Sequence, residues 1–260
     1  MTDDKRHDER IVNQFTRWAQ RFGELPVHSD ADGLRKTLDA AMIGADHRVL
    51  DVACGPGIVA CAAARSAAFV TGLDLTPAMI QQARGRQQAL GIANIDWRIG
   101  DATALPFPDA AFDRVMTRYS FHHLPEPIAA LREMTRVCRP GGRVVVIDAT
   151  PAPDCQTGYD RMERLRDPSH SSAPTIDQLR RLGAEAGLDE RVIDSYRLDA
   201  RLVDLADAET LPALLAMFDE DIASGKDRIG VAARYADDGV RFHFPVSIVA
   251  WERPAGERGP

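Results

Sequence analysis

The chain has 260 residues, of which 45% are hydrophobic, and carries a formal net charge of −7 at pH 7. This length is enough for the core of one domain with a cap over it. The acidic balance leaves no broad basic surface, which excludes nucleic acid as the main partner.

The spacing of the cysteines and the hydropathy of the chain indicate the cellular compartment in which the protein works. The four cysteines form no C-x-x-C pair, so their spacing indicates neither a zinc site nor a disulfide framework. The N-terminal residues lack the apolar segment of a secretory signal, and no stretch is apolar enough to span a bilayer. We therefore expect a cytoplasmic protein in a reducing environment.

Two amphipathic helices are predicted at the start of the chain. Residues 9–22 carry apolar side chains, including Phe15 and Trp18, at helical spacing, and residues 32–42 form the second helix. The apolar stripe of the first helix is most simply a core face.

The next segment has the pattern of a strand, a glycine turn and a helix. Residues 48–52 form a short apolar run and residues 58–65 an alanine-rich helix, with the turn between them. This arrangement brings backbone N–H groups against a small ligand. The spacing Gly55-x-Gly57-x-x-Ala60 also fits a loose dinucleotide fingerprint, so the turn alone leaves the ligand open.

Acidic residues follow the next two predicted strands. Residues 69–73 lead to Asp74, which is placed to accept hydrogen bonds from ribose hydroxyls, as in nicotinamide enzymes too. Residues 95–99 are followed by Asp101, which suits an adenine amine. Asp51 is unfavourable beside a pyrophosphate but favourable beside a cationic amino-acid tail.

Later elements continue the alternation of helix and strand. Residues 77–90 and 127–137 are predicted helices, and residues 113–117 and 144–147 are predicted strands four and five. This alternation indicates right-handed parallel crossovers. Residues 240–252 alternate with period two, which predicts a final antiparallel strand at the edge of the sheet.

Four segments, in this order, carry a resemblance to a known family. They are residues 49–57, 72–74, 100–102 and 139–142. Together they resemble the class I S-adenosylmethionine-dependent methyltransferases, particularly the small-molecule enzymes of the ubiquinone and menaquinone biosynthesis type. The resemblance covers about residues 14–147.

The resemblance implies an α/β fold: a doubly wound, Rossmann-like, seven-stranded sheet with its last strand antiparallel, plus a helical cap. It implies S-adenosylmethionine as the cofactor. The implied division of the chain is a helical lid (1–33), a cofactor-binding core (34–150), a cap insertion with a helix (151–189), the rest of the sheet with a second cap insertion at about 201–238 (190–253), and a tail (254–260).

The resemblance also implies the cofactor contacts. Gly55 and Gly57 let the backbone approach the methionine tail, Asp74 holds the ribose, and Asp101 holds the adenine amine. The full implied set is Asp51, Ala53, Gly55, Gly57, Asp74, Leu75, Met79, Asp101, Ala102, Arg118 and Tyr119.

The loop after strand four supplies the candidate catalytic group. His122 is our candidate general base, because histidine titrates near neutrality; the alternative is that it only orients the loop. The candidate substrate contacts are Phe15, Trp18, His123 and His170. For His170 the alternative is a turn or helix-capping role.

We therefore expect methyl transfer from S-adenosylmethionine to a small, partly apolar or aromatic molecule, by O-, N- or C-methylation in secondary metabolism. The alternatives are a quinone-biosynthesis C-methyltransferase, an NAD(P)-dependent oxidoreductase and a non-catalytic cofactor-binding protein. We expect no metal site, because no carboxylate or histidine spacing suits one. The partner is the small-molecule acceptor, and the N-terminal helix is a candidate homodimer contact.

Overall fold

The computed structural model describes residues 3–22 and 30–255. Its first half contains α1 (Asp3–Phe22), α2 (Ala31–Ala41), β1 (Arg48–Val52), α3 (Ile58–Ala63), β2 (Phe69–Asp74), α4 (Pro77–Ala89), β3 (Ile95–Ile99) and β4 (Phe112–Arg118).

After a short 3-10 helix at Phe121–His123, the second half continues in the same alternating manner. It contains α5 (Pro127–Val137), β5 (Cys138–Ala149), α6 (Gln156–Arg166), α7 (Ile176–Glu185), β6 (Asp189–Arg201), α8 (Leu202–Leu205), α9 (Leu211–Ser224), β7 (Arg234–Ala236) and β8 (Gly239–Glu252). The two segments expected as cap insertions thus hold α6 and the group of α8, α9 and β7.

Local sequence signals explain several helix ends. The Gly33 N–H donates to the Asp30 side chain at 2.6 Å, which caps the start of α2. Thr175 and Gln178 form a reciprocal capping box at the start of α7. Gly225, in the left-handed region at φ 63°, ends α9.

The strands form one sheet in the order β3-β2-β1-β4-β5-β8-β6, with β7 paired to β8. Strands β1 to β5 pair in parallel, and β8 runs antiparallel to both β5 and β6. This is the doubly wound sheet with an antiparallel last strand that the sequence predicted.

The edge position expected for the last strand is wrong. β8 lies between β5 and β6, and β6 forms the edge. The reason is visible in its burial: residues 246–251 are buried without interruption, as in a strand covered on both faces. The period-two pattern is confined to the first half of β8.

Helices cover both faces of the sheet. Successive residues of β1 enter opposite layers: Val49 packs with apolar residues of α3 and α4, and Leu50 packs with Leu131 and Met134 of α5. Because every strand points alternate side chains to opposite faces, two apolar layers form. Burial of each such side chain contributes about 1.5–3 kcal/mol.

Within the described ranges, no helix is both long enough and apolar enough to cross a membrane.

Candidate active site

A cavity of about 350 Å³ lies at the carboxyl ends of the parallel strands. Its lining comes from the segments that follow β1, β2, β3 and β4, and from α1, which contributes His7, Ile11 and Phe15. The His7 side chain donates from Nε2 to the His123 carbonyl oxygen at 2.6 Å, which fixes α1 to the segment after β4. Ligands of open α/β sheets bind at this rim.

The two glycines of the turn after β1 serve different purposes. Both have positive φ, 51° at Gly55 and 75° at Gly57. A Cβ placed on Gly55 would meet nothing within 4 Å, whereas one on Gly57 would lie 2.6 Å from the Trp97 ring. Gly55 lines the cavity and Gly57 does not. Gly57 therefore permits the packing of α3 on the sheet, and Gly55 leaves room for a ligand.

Asp74 organises the rim of the cavity. Its Oδ2 accepts the Gly55 N–H and its Oδ1 accepts the Thr76 N–H, both at 2.8 Å. Burial raises the pKa of Asp74, although these two N–H donors act in the opposite direction. A carboxylate offers about four acceptor positions, so Asp74 retains acceptor capacity towards a diol while it holds the glycine turn.

Asp51 lies beneath the cavity and does not line it. The carboxylate is 1% exposed, and its Oδ2 has no hydrogen-bond partner among the described residues. Burial, reinforced by the charge of Asp74, raises the pKa of Asp51 to about 7. A buried carboxylate oxygen without a partner fits a role towards a cationic group such as the ammonium of S-adenosylmethionine.

The opposite wall of the cavity is partly apolar. Leu75, Met79 and Ala102 lie along it, and Met79 is only 1% exposed. Asp101 lies beside them and accepts hydrogen bonds at 2.8 Å from both the N–H and the hydroxyl of Thr103. An apolar wall next to a carboxylate can take the flat face and the amine edge of an adenine.

Most of the residues expected at the cofactor do line this one cavity. They are Ala53, Gly55, Asp74, Leu75, Met79, Asp101, Ala102, Arg118 and Tyr119; Asp51 and Gly57 do not line it. The Arg118 side chain donates to the Tyr119 hydroxyl at 3.1 Å, and that hydroxyl is 2.7 Å from the hydroxyl of Tyr196 on β6.

A second cavity, of about 70 Å³, adjoins the first. Phe15, Tyr119 and His123 line both cavities. The rings of Phe15 and His123 pack in a T-shaped arrangement, with ring centroids 5.0 Å apart. These three rings border both spaces, and we call them the shared wall. His122 lines the second cavity only.

His122 is held by a buried carboxylate that the sequence analysis did not identify. Its Nδ1 donates to Asp148 Oδ1 at 2.5 Å, and Asp148 is fully buried at the end of β5. The sequence does contain a pattern that points to Asp148: it follows an apolar strand, as Asp74 does. With Nδ1 occupied, Nε2 is the ring nitrogen that remains for proton transfer.

The pKa values of the two adjacent histidines are shifted in opposite directions. Burial alone would lower the pKa of His122, but the Asp148 carboxylate outweighs burial and raises it above the ordinary 6.5. Burial, together with the neighbouring charge of His122, lowers the pKa of His123. His122 is therefore the basic member of the pair and His123 is neutral.

The other substrate candidates take different positions. His170 lines neither cavity: it lies behind His122, with ring centroids 5.5 Å apart, and its Nε2 is 2.8 Å from Asp160. The Trp18 side chain lies outside the described residues. In the described part of the chain, no group of three or more histidine, cysteine or acidic side chains is arranged to hold a metal ion.

The strand order and the rim geometry together define a class. A glycine turn after β1, with acids after β2 and β3 at the same cavity, is the arrangement of the class I S-adenosylmethionine-dependent methyltransferases. Residues 50–146 match the family profile described as "Methyltransferase domain". Residues 50–146 of this chain therefore belong to a methyltransferase domain, which favours S-adenosylmethionine over the nicotinamide alternative.

Individual relatives agree with this assignment. The "Uncharacterized methyltransferase YcgJ" of Bacillus subtilis (strain 168) is 32% identical over 166 residues, which cover 63% of this chain and 66% of that protein. The crystal structure of YcgJ superposes with a TM-score of 0.78 at 25% identity and covers 86% of this chain and 98% of that one.

A demethylmenaquinone methyltransferase of Thermus thermophilus is 40% identical over 131 residues, which cover 50% of this chain and 59% of that protein. The chain thus spans 59–66% of the length of these two curated relatives. A geranyl diphosphate C-methyltransferase from Streptomyces coelicolor A3(2), solved with S-adenosyl-L-homocysteine, has a TM-score of 0.62 at 18% identity over 86% of this chain and 78% of that one; this likeness concerns the fold.

Proposed function

We propose that this protein transfers the methyl group of S-adenosylmethionine to a small, partly apolar organic acceptor. One observation carries the proposal: the cavity with the rim acids and a smaller cavity meet at the shared wall of Phe15, Tyr119 and His123. Methyl transfer needs two compartments that meet at one point, since the acceptor must approach the methyl carbon directly.

The larger cavity is the donor site in this proposal. Asp74 accepts the ribose hydroxyls, Asp101 accepts the adenine amine, and the open space at Gly55 admits the amino-acid tail. When bound, S-adenosylmethionine supplies a methyl group made electrophilic by its sulfonium. Alignment of two reactants in a closed site can supply roughly 7–11 kcal/mol of the barrier, and α1 excludes water from above.

The smaller cavity is the acceptor site. Its walls include Leu198, Leu205 and Val246, all at most 6% exposed, and the aromatic ring of Phe244. Such a lining favours a molecule with an apolar body. Its volume of about 70 Å³ is roughly five to seven times what one water needs, which limits the acceptor to a compact molecule.

His122 acts as the general base. Its Nε2 takes the proton that leaves the acceptor, and Asp148 holds the Nδ1–H and stabilises the resulting imidazolium. A positioned base of this kind typically accelerates a reaction about 10²–10⁴-fold.

A second candidate is C-methylation of a quinone precursor. The demethylmenaquinone methyltransferase of Thermus thermophilus favours it, at 40% identity over 50% of this chain. A carbon nucleophile next to a hydroxyl also requires removal of a proton, so His122 would keep its role.

The test is release of S-adenosylhomocysteine from S-adenosylmethionine in the presence of candidate acceptors, followed by mass spectrometry. His122→Ala is expected to lower turnover about 10²–10⁴-fold with little change in donor affinity. His243→Ala is the matched control, because His243 lines neither cavity. Equal losses in both variants, or full activity of His122→Ala, would contradict the assignment of the base.

A further inference from the structure

Tyr159 brings to the acceptor cavity a hydroxyl that makes no hydrogen bond within the described part of the chain. Tyr159 is 1% exposed and lines the second cavity. Its hydroxyl makes no hydrogen bond to any residue of the described part of the chain, and burial, with the charge of Glu163 beside it, raises its pKa well above the ordinary value. The hydroxyls of tyrosines in buried positions usually find a hydrogen-bond partner. A ligand in the cavity would supply it.

Arg166 lines the same cavity, and some of its N–H donors are not used in hydrogen bonds. Its Nε and Nη2 donate to the two oxygens of Glu163 at 3.1 and 2.6 Å. A guanidinium has five N–H groups, so this pair leaves others available, and its Nη1 has no hydrogen-bond partner in the described part of the structure. Because Glu163 is 2% exposed and Asp167 lies close by, the arginine charge is already balanced. The cavity therefore accepts a neutral oxygen at this end rather than a carboxylate.

The wall of the cavity thus carries His122 and, as a further polar group, the Tyr159 hydroxyl with Arg166. Apolar side chains of β6, α8 and β8, among them Leu198 and Phe244, line the same cavity. A small ring with oxygen substituents at two positions matches this pattern.

The nucleophile must also suit the base. A histidine removes a proton far more readily from a phenol, with a pKa of about 10, than from an alkyl alcohol, whose pKa lies near that of water, about 15.7. Asp148 raises the pKa of His122 and so makes it a stronger base, but the base is still an imidazole.

Building on the proposed function, we propose that the acceptor is a small phenol that carries a second neutral oxygen, bound between His122 and the Tyr159 and Arg166 pair. The phenol proton passes to His122 Nε2 as an oxygen lone pair forms the bond to the methyl carbon. The bond between that carbon and sulfur breaks, and its electron pair stays on sulfur. The products are an aryl methyl ether and S-adenosylhomocysteine, and the proton leaves His122 to solvent.

The experiment measures S-adenosylhomocysteine formation with catechol, phenol, cyclohexane-1,2-diol and benzylamine as probes. Catechol is expected to be methylated, and phenol, which lacks the second oxygen, to show a KM about 2- to 10-fold higher. The diol and the amine are expected to react at least about 100-fold more slowly. Equal use of the diol or the amine, or no reaction of either phenol, would overturn the proposal. Calorimetry with S-adenosylmethionine separates the two levels: donor binding without phenol turnover refutes only the acceptor class, whereas no donor binding refutes the proposed function.

The variant Tyr159→Phe tests whether the Tyr159 hydroxyl binds the second oxygen of the acceptor. We expect the KM for catechol to rise about 2- to 10-fold, with kcat unchanged and the KM for phenol unchanged. Tyr235→Phe is the matched control, since Tyr235 is 63% exposed and its hydroxyl donates to Asp219 on the surface. An equal change for both phenols, or no change for catechol, would contradict the assignment of Tyr159.

Discussion

The charge state of His122 depends on groups from several elements. Asp148 of β5 bonds its Nδ1 and has the strongest raising influence on its pKa. Other titratable groups around it are Glu163, Asp167, His123 and His170. The acids raise the pKa of His122, and burial lowers it. The net result is a pKa of His122 above its ordinary value.

This balance predicts a pH profile. A general base must be neutral, so the rate of methyl transfer should rise with pH through a value above 6.5, the ordinary pKa of histidine. In Asp148→Asn the raising influence is lost and burial dominates, so the rise should move to lower pH while the maximal rate falls. The measurement is kcat against pH. Asp194→Asn, at a surface ion pair with Lys36, is the control; identical profiles for Asp148→Asn and the wild type would refute the role of His122.

Asp51 predicts proton release on donor binding. With its pKa raised to about 7, Asp51 titrates near neutral pH in the free protein. A cationic ligand lowers that pKa, so binding should release a proton, and affinity should increase as pH rises towards 7. Calorimetry at pH 6 in buffers of different ionisation enthalpy measures the release, which should vanish in Asp51→Asn. Release that persists in this variant would assign it elsewhere.

At the scale of elements, the two glycines of the first turn give opposite expectations. In Gly57→Ala the new Cβ would lie 2.6 Å from the Trp97 ring at φ 75°, so overpacking and left-handed strain together should lower the free energy of unfolding by about 2–4 kcal/mol. In Gly55→Ala only the strain of the left-handed backbone conformation lowers the free energy of unfolding, by about 1–2 kcal/mol. The substitution also places a Cβ at the cavity. It should weaken donor binding more than stability. Urea unfolding and donor titration of both variants test this, and a reversed order would contradict the division of roles.

Strands β1 to β5 could be predicted because each is a short apolar run flanked by turn residues, and a buried parallel strand needs little more. The order of the last strands in the sheet could not be predicted. The interior place of β8 depends on β6, whose residues 189–196 are mostly exposed, so β6 gives little hydrophobic signal. The pairing of β6 with β8 joins segments far apart in sequence, so it depends on the assembly of the whole sheet and not on a local pattern.

At the scale of the molecule, the residues of the larger cavity, our proposed donor site, could be predicted, and those of the smaller, proposed acceptor cavity could not. The rim acids follow their strands directly, so a local pattern marks them. The acceptor cavity joins Phe15, Tyr159 and Phe244, which lie far apart in sequence. Even the pair of His122 and Asp148 spans 26 residues, and only the parallel order of β4 and β5 brings the two together.

The most direct test of the account is a calorimetric titration with S-adenosylmethionine, S-adenosylhomocysteine and NAD. We expect heat with the first two and none with NAD. In Asp74→Asn, affinity for the first two should fall roughly 10- to 100-fold, because hydrogen bonds to a charged group are lost; Asp96→Asn, on the exposed surface of β3, should bind as the wild type does. Absence of heat with both adenosyl ligands, or binding that Asp74→Asn leaves unchanged, would contradict the central claim that the rim acids of this sheet hold the methyl donor.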